Sequence, residues 1–81
     1  MRAFLLLKVK PQDTMRLMHD LKDNQNVLSA SVVHGPYDCV AVVQGHDLDD
    51  LNQTVLDIRS HAGITDTMTS LVVQSWERVP A

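Results

Sequence analysis

Apolar residues recur along this chain with two different periods, and each change of period marks a boundary between elements. From Ala3 to Val9 both alternation sets are apolar, Leu5, Leu7 and Val9 on one and Phe4 and Leu6 on the other. That predicts a strand covered on both faces for much of its length. Pro11 ends the strand and suits the first position of a helix, with Asp13 placed to favour the helix dipole. Met15, Leu17, Met18 and Leu21 then fall in one broad helical arc, which ends near the KDNQN of residues 22–26. Two further apolar stretches, NVLSASVVH and DCVAVVQ, flank a Gly35-Pro36-Tyr37-Asp38 corner, and their short separation makes them an antiparallel pair. Leu48, Leu51, Val55 and Ile58 form a narrow stripe on a second helix. Asp47 is its N-cap, Asp49 and Asp50 suit its first turn, Arg59 and His61 its last, and Gly63 its stop. The final stretch, ITDTMTSLVVQSW, alternates Thr65, Thr67, Thr69, Leu71 and Val73 against Met68, Val72 and Trp76, and reads as a fourth strand.

The order is therefore βαββαβ, and its two halves echo one another. Two such units build an α+β, ferredoxin-like sandwich: one four-stranded antiparallel sheet with both helices on a single face. The alternation assigns Phe4, Leu6, Leu28, Val32, Val40, Val42 and Val72 to the other face, too much apolar surface for a soluble monomer. Face-to-face packing against the sheet of a second copy would cover it.

Length points the same way. With 81 residues the chain forms a single domain, residues 1–81, and a domain of this size buries only about 60–65% of the surface it exposes when unfolded. One cysteine allows no internal disulfide, so a partner subunit is the expected source of added stability. Seven basic and ten acidic residues give a formal net charge of −3 with no Lys/Arg cluster, which argues against direct binding to nucleic acid. The amino-terminal apolar run is too short to span a membrane and lacks a cleavage site. With a lone thiol and no export signal, the expected compartment is the cytoplasm.

Several residues invite a chemical role. Cys39 stands beside Asp38 and near His34, but a cysteine inside DCVAVV reads as a small buried hydrophobe, and a neighbouring carboxylate opposes thiolate formation. His19, His34, His46 and His61 lack metal-ligand spacing, and there is no Cys-x-x-Cys pair, so no metal or other cofactor is expected. The GPYD corner has two readings. Turn chemistry accounts for Gly35 through positive φ and for Pro36 through its preset φ; Tyr37 and Asp38 are then a strand-start aromatic and a turn residue. In the functional reading the corner presents a phenol and a carboxylate beside backbone amides, a combination suited to a small zwitterion, with threonine hydroxyls from Thr65, Thr67 and Thr69 as further partners.

Taken together, LLLKVKP, VVHGPYDCVAVVQG with its Gly-x-Tyr-Asp corner, DLDDLNQTVLDIRSHAGI and TDTMTSLVV resemble the ligand-binding (RAM) domain of the Lrp/AsnC feast/famine transcription regulators over essentially the whole chain. The resemblance implies an effector, commonly an amino acid, bound where dimers meet in a larger oligomer. It implies ligand-binding roles for Gly35, Tyr37 and Asp38, with Thr67 and Thr69 completing the pocket from a neighbouring subunit. Two departures accompany it. The chain starts directly at its first strand, which reads as a stand-alone member without the helix-turn-helix domain that binds DNA. Pro36 lacks an N–H, so a ligand carboxylate has no amide to meet there.

The leading expectation is thus a non-enzymatic, oligomeric amino acid sensor involved in transcription regulation, a homodimer forming higher oligomers and able to mix with full-length Lrp/AsnC relatives. One alternative is an enzyme of the dimeric α+β barrel type using His34 and Asp38. Another is an assembly module with no ligand.

Overall fold

The computed structural model describes residues 1–80. Its elements are β1 (Arg2–Val9), a 3-10 turn (Pro11–Asp13), α1 (Thr14–Asp23), β2 (Val27–Val32), β3 (Cys39–Gln44), α2 (Leu48–Arg59) and β4 (Ile64–Leu71). All four strands join one antiparallel sheet in the order β2-β3-β1-β4. β1 lies inside the sheet, as a strand apolar on both alternation sets should. Its Ala3, Leu5, Leu7 and Val9 are buried, and beside them β3 contributes Cys39, Ala41 and Val43. Against this face pack Leu17 and Leu21 of α1 and Leu51, Val55 and Ile58 of α2. The layer is filled by side chains: Leu5, Leu7, Leu17, Leu51, Val43 and Cys39 are the largest of those almost wholly enclosed.

The second helix starts as its sequence dictates. Asp47 Oδ1 accepts from the Asp50 N–H at 2.8 Å, and Asp50 Oδ2 in return accepts from the His46 N–H at 2.8 Å. This reciprocal cap satisfies two donors at the helix entrance. Pro11 opens a 3-10 turn, and the α-helix proper begins only at Thr14. Met15 and Leu48 lie at the margins of their stripes and are exposed rather than buried.

The far face of the sheet is bare. Pairs across the ladders share a face, and here Phe4 opposes Val42, Leu6 opposes Val40, and Leu6 also opposes Met68. Phe4 remains 46% exposed and Met68 50%. Val72, whose N–H donates to the Arg2 carbonyl at 2.9 Å, continues this patch. Two residues assigned to this face by alternation lie elsewhere: Val32 pairs with Cys39 and shares its helix side, and Leu28 sits at the β2 bulge and lines a groove against α1. The cause is a register shift between Val27 and Ser29, which breaks strict alternation in β2 at Leu28.

Two further expectations give way. β4 ends at Leu71, and Trp76, 79% exposed, lies beyond the strand in a stretch without regular structure. Neither Gly35 nor Gly63 has a positive φ. Gly63 is needed for space instead: a Cβ there would lie 2.5 Å from Cβ of Asp13. The chain after α2 passes this closely because the Lys10 N–H donates to the Gly63 carbonyl at 2.9 Å.

Candidate functional site

The corner joining β2 to β3 folds back toward the carboxyl end of β1. The Val33 N–H donates to the Asp38 carbonyl and the Asp38 N–H to the Leu7 carbonyl, both at 2.9 Å. The β1–β3 ladder ends at the Leu7–Cys39 pair, so the next inward-facing donor of β1, Val9 N–H, has no strand to meet. Asp38 supplies the acceptor: its Oδ2 takes the Val9 N–H at 3.0 Å. β1 also shifts register against β4 between Lys8 and Val9, and Thr65 Oγ1 lies 3.4 Å from the Lys8 carbonyl there. The acid at the tip of the hairpin is therefore first a backbone acceptor. One carboxylate oxygen is committed, and the other is left for any further partner.

Tyr37 is half-buried, and the Lys8 ammonium lies 5.7 Å from its ring centroid. That is within cation–π range. Lys8 projects from the bare face, opposite Asp66 of β4, so Tyr37 stands at the rim of that face. Gly35 is exposed, and a Cβ on it would touch nothing within 4 Å.

Thr67 and Thr69 are placed elsewhere. They oppose Leu7 and Leu5, hence face the helix side, and β1 lies between their strand and β3. The structure brings Gly35, Tyr37 and Asp38 together and holds Thr67 and Thr69 together. Tyr37 lies at the rim of the bare face, whereas the two threonines face the helix side of an edge strand. Within the chain these residues form two separate groups.

Clefts beside the two threonines bring in a residue that the sequence did not single out. A cleft of about 420 Å³ under α2 is lined by Asn52, Val55, Leu56, Arg59 and Thr69. A second, of about 250 Å³, is lined by Arg59, Ile64, Thr65, Asp66 and Thr67. Arg59 borders both. In the sequence it stood only as a cation suited to the negative end of the α2 dipole, and nothing local marked it as a neighbour of β4. A separate groove of about 410 Å³ between α1 and β2 is mostly apolar, with Met15, Met18 and Leu28 in its walls.

Cys39 and His61, among the remaining chemical candidates, have structural partners. Cys39 is fully buried, and its thiol lies 3.8 Å from the Met18 sulfur. Burial pushes the thiol above its ordinary value near 9, against a lowering hydrogen bond with the Ser31 backbone, and the Asp38 charge raises it further. A nucleophilic thiolate is disfavoured on each count except the Ser31 contact. His61 accepts the Gly63 N–H at Nδ1 (3.1 Å), which leaves Nε2 to carry the proton toward Asp20 Oδ2 at 2.8 Å. It thereby fastens the end of α2 to α1. His34 is exposed. Among the described residues no group of three or more His, Cys, Asp or Glu could hold a metal ion, and no helix is long and apolar enough to cross a membrane.

Comparison with known proteins places this geometry among relatives. The family model described as the Lrp/AsnC ligand binding domain matches residues 2–80. The HTH-type transcriptional regulator LysM of Sulfurisphaera tokodaii is 32% identical over 76 residues, covering 93% of this chain and 54% of that protein. Homocitrate synthase of Saccharolobus solfataricus is 30% identical over 84 residues, covering 85% of this chain and 18% of the enzyme. The chain thus spans about half the length of the regulator and a smaller part of the enzyme. Among solved structures, TTHA0845 from Thermus thermophilus superposes with a TM-score of 0.86 at 29% identity, covering 95% of this chain and 98% of that one. The L-Met complex of the transcriptional regulator NMB0573 from Neisseria meningitidis superposes with a TM-score of 0.80 at 22% identity, covering 95% of this chain and 52% of that one.

Proposed function

This chain belongs to the family of Lrp/AsnC ligand binding domains, and from that premise we propose that it is an oligomeric sensor of an amino acid or a related small metabolite, acting in transcription regulation. The observation that carries the reading is the split site. Tyr37, with Gly35 and Asp38 beside it in the corner, stands at the rim of the bare face, and Thr67 and Thr69 face the helix side, so a ligand that uses both groups is shared between protomers. Ligand shared across an interface favours the assembled form by mass action, which couples metabolite level to oligomer population.

Three features support it. The bare face carrying Phe4, Leu6, Val40, Val42 and Met68 calls for a second sheet. The Neisseria regulator of the same fold was solved in complex with L-Met, a ligand of the class proposed here. Matching segments occur both in a regulator and in a synthase of which they form 18%, which suits a ligand-binding unit joined to different outputs. The α+β barrel alternative needs open space between helices and sheet, where this chain packs leucines. A net charge of −3 leaves contact with a phosphate backbone to other partners, full-length Lrp/AsnC relatives among them.

A thermal melt against the twenty amino acids tests the reading. An effector at a hundredfold over its dissociation constant adds about 2.7 kcal/mol per site, or about 10–20 °C in a domain of this size. Sedimentation with and without the stabilising amino acid should show a shift in assembly. A flat panel would remove the amino acid sensor and leave the ligand-free assembly module. Leu6→Lys, which sets a charge in the bare face, should yield monomers; an unchanged oligomer would refute the face-to-face dimer.

A further inference from the structure

We infer that the cleft between α2 and the free edge of β4 is a carboxylate-binding site, with Arg59 as its anchor, for a small acid carrying a short apolar chain. For the identity of that acid as an amino acid the inference rests on the sensor reading; for Arg59 and the carboxylate it stands on the cleft alone.

Arg59 is the one residue common to the two clefts under α2. It is exposed and enters no ion pair among the described residues. Thr67 and Thr69, two apart on one face of β4, offer hydroxyls about 7 Å from one another along the strand, one in each cleft. Asn52 adds an amide in the larger cleft, while Val55 and Leu56 supply an apolar wall. Leu56 is 55% exposed although it stands in the middle of a helix that buries four of its residues. The volume of the larger cleft, about 420 Å³, lies within the range of about 300–1,000 Å³ of small-ligand sites. No acidic residue lines it, so an incoming carboxylate meets only a cation and neutral donors. Asp66 lines only the smaller cleft, where its Oδ1 accepts the Thr67 N–H at 2.9 Å.

A guanidinium binds a carboxylate through two parallel N–H donors, which an ammonium cannot reproduce. This separates the site from the plain alternative, in which Arg59 only complements the α2 dipole. A lysine serves the dipole as well as an arginine, but it loses the fork. The geometry also places the ligand's acidic group beside the two threonines. That resolves what Pro36 removes from the corner, where the amide at that position is missing.

The test is calorimetric titration of the intact protein with each apolar L-amino acid, its carboxamide, and isovalerate, which has a carboxylate and a short apolar chain but no ammonium. The expected result is that the best amino acid weakens about 10- to 100-fold on conversion to the amide. Arg59→Gln should weaken the acid by a similar factor and leave the amide unaffected, and Arg59→Lys should recover only part of the loss at unchanged melting temperature. Binding of an amino acid that ignores both Arg59 substitutions would overturn the inference and leave the sensor reading standing. Binding of isovalerate alone, dependent on Arg59, would support this site and remove the amino acid sensor. No binding of any of these probes to the wild-type protein would overturn both.

Discussion

Replacing Asp38 by alanine removes the acceptor that meets Val9 N–H at 3.0 Å where β1 runs past the end of β3. Val9 is only 5% exposed, so water does not readily replace the lost oxygen. A buried donor left without a partner costs about 1–3 kcal/mol, and in a domain of 60–100 residues each kcal/mol moves the melting point by about 4–8 °C. Asp38→Ala should therefore lower the midpoint by about 5–20 °C at matched protein concentration, a control that the proposed oligomer requires. Asp38→Asn keeps an oxygen in place and exchanges a charge-assisted bond for a neutral one, a loss of about half its strength. Its midpoint should fall well short of the alanine variant's drop. Amide exchange locates the effect: Val9 should exchange faster in Asp38→Ala, while Leu5 and Leu7, held in intact ladders, change only with global stability. Equal midpoints for wild type and Asp38→Ala would refute the claim that this carboxylate is a structural acceptor. The same pair of variants sorts structure from sensing, because Asp38→Ala should also lose the amino acid response. A loss shared by Asp38→Asn at nearly full stability belongs to the ligand.

Three other outcomes are expected. Gly63→Ala forces a Cβ to within 2.5 Å of the Asp13 Cβ and should lower the stability read from urea unfolding by about 1–3 kcal/mol, whereas Gly35→Ala, with no atom in reach and no positive φ, should leave it unchanged or raise it by about 0.4–1 kcal/mol. The raised Cys39 pKa means that the native state favours the protonated thiol; its stabilising contribution is complete below the ordinary value near 9 and is lost as pH climbs through the folded value. Midpoints should accordingly fall in alkali for the wild type and less for Cys39→Ala, and native Cys39 should resist thiol reagents at neutral pH. His61→Ala loses both the Asp20 contact and the acceptor of the Gly63 N–H, so it should cost about 1–3 kcal/mol, and Asp20→Ala, whose side chain is half exposed, less than about 1 kcal/mol.

Most of the architecture was legible because period and burial agree. β1 has apolar residues on both sets and sits inside the sheet; α2 carries Asp47 where an N-cap belongs, and Asp47 caps it. The misreadings arise where a long-range contact overrides a local rule. Val32 changed face because one extra residue at the β2 bulge inverts everything after it, and no single-strand pattern reports a bulge. Gly63 looked like a helix stop by position, but its requirement comes from Asp13, fifty residues earlier. Asp38 looked like a turn residue or a ligand contact, and its hydrogen bond runs to a strand 29 positions away. Arg59 illustrates the same limit at the site. Its role in the last turn of α2 is visible in sequence, whereas its place beside Thr67 and Thr69 follows only from β4 lying at the sheet edge beneath that helix.

Sorting residues by whether the protomer itself explains them gives a further guide to function. Gly63, Asp47, His61 and the carboxylate of Asp38 each have a partner inside the chain that accounts for them. Gly35 has none: neither its φ nor its surroundings require glycine. Phe4, Met68 and Leu56 are about half exposed on ordered elements, and Arg59 is a cation without a counter-ion among the described residues. These residues fall on the bare sheet face, at the corner on its rim and in the cleft under α2, the three surfaces that a sensor built from shared sites would present to a second copy or to a ligand. A ligand-free assembly module accounts for the first surface alone, since it gives no use to a guanidinium flanked by two threonines or to an open glycine. The binding experiments at Arg59 and the Gly35→Ala variant therefore discriminate between the two readings more sharply than oligomeric state does, because both readings predict the same dimer.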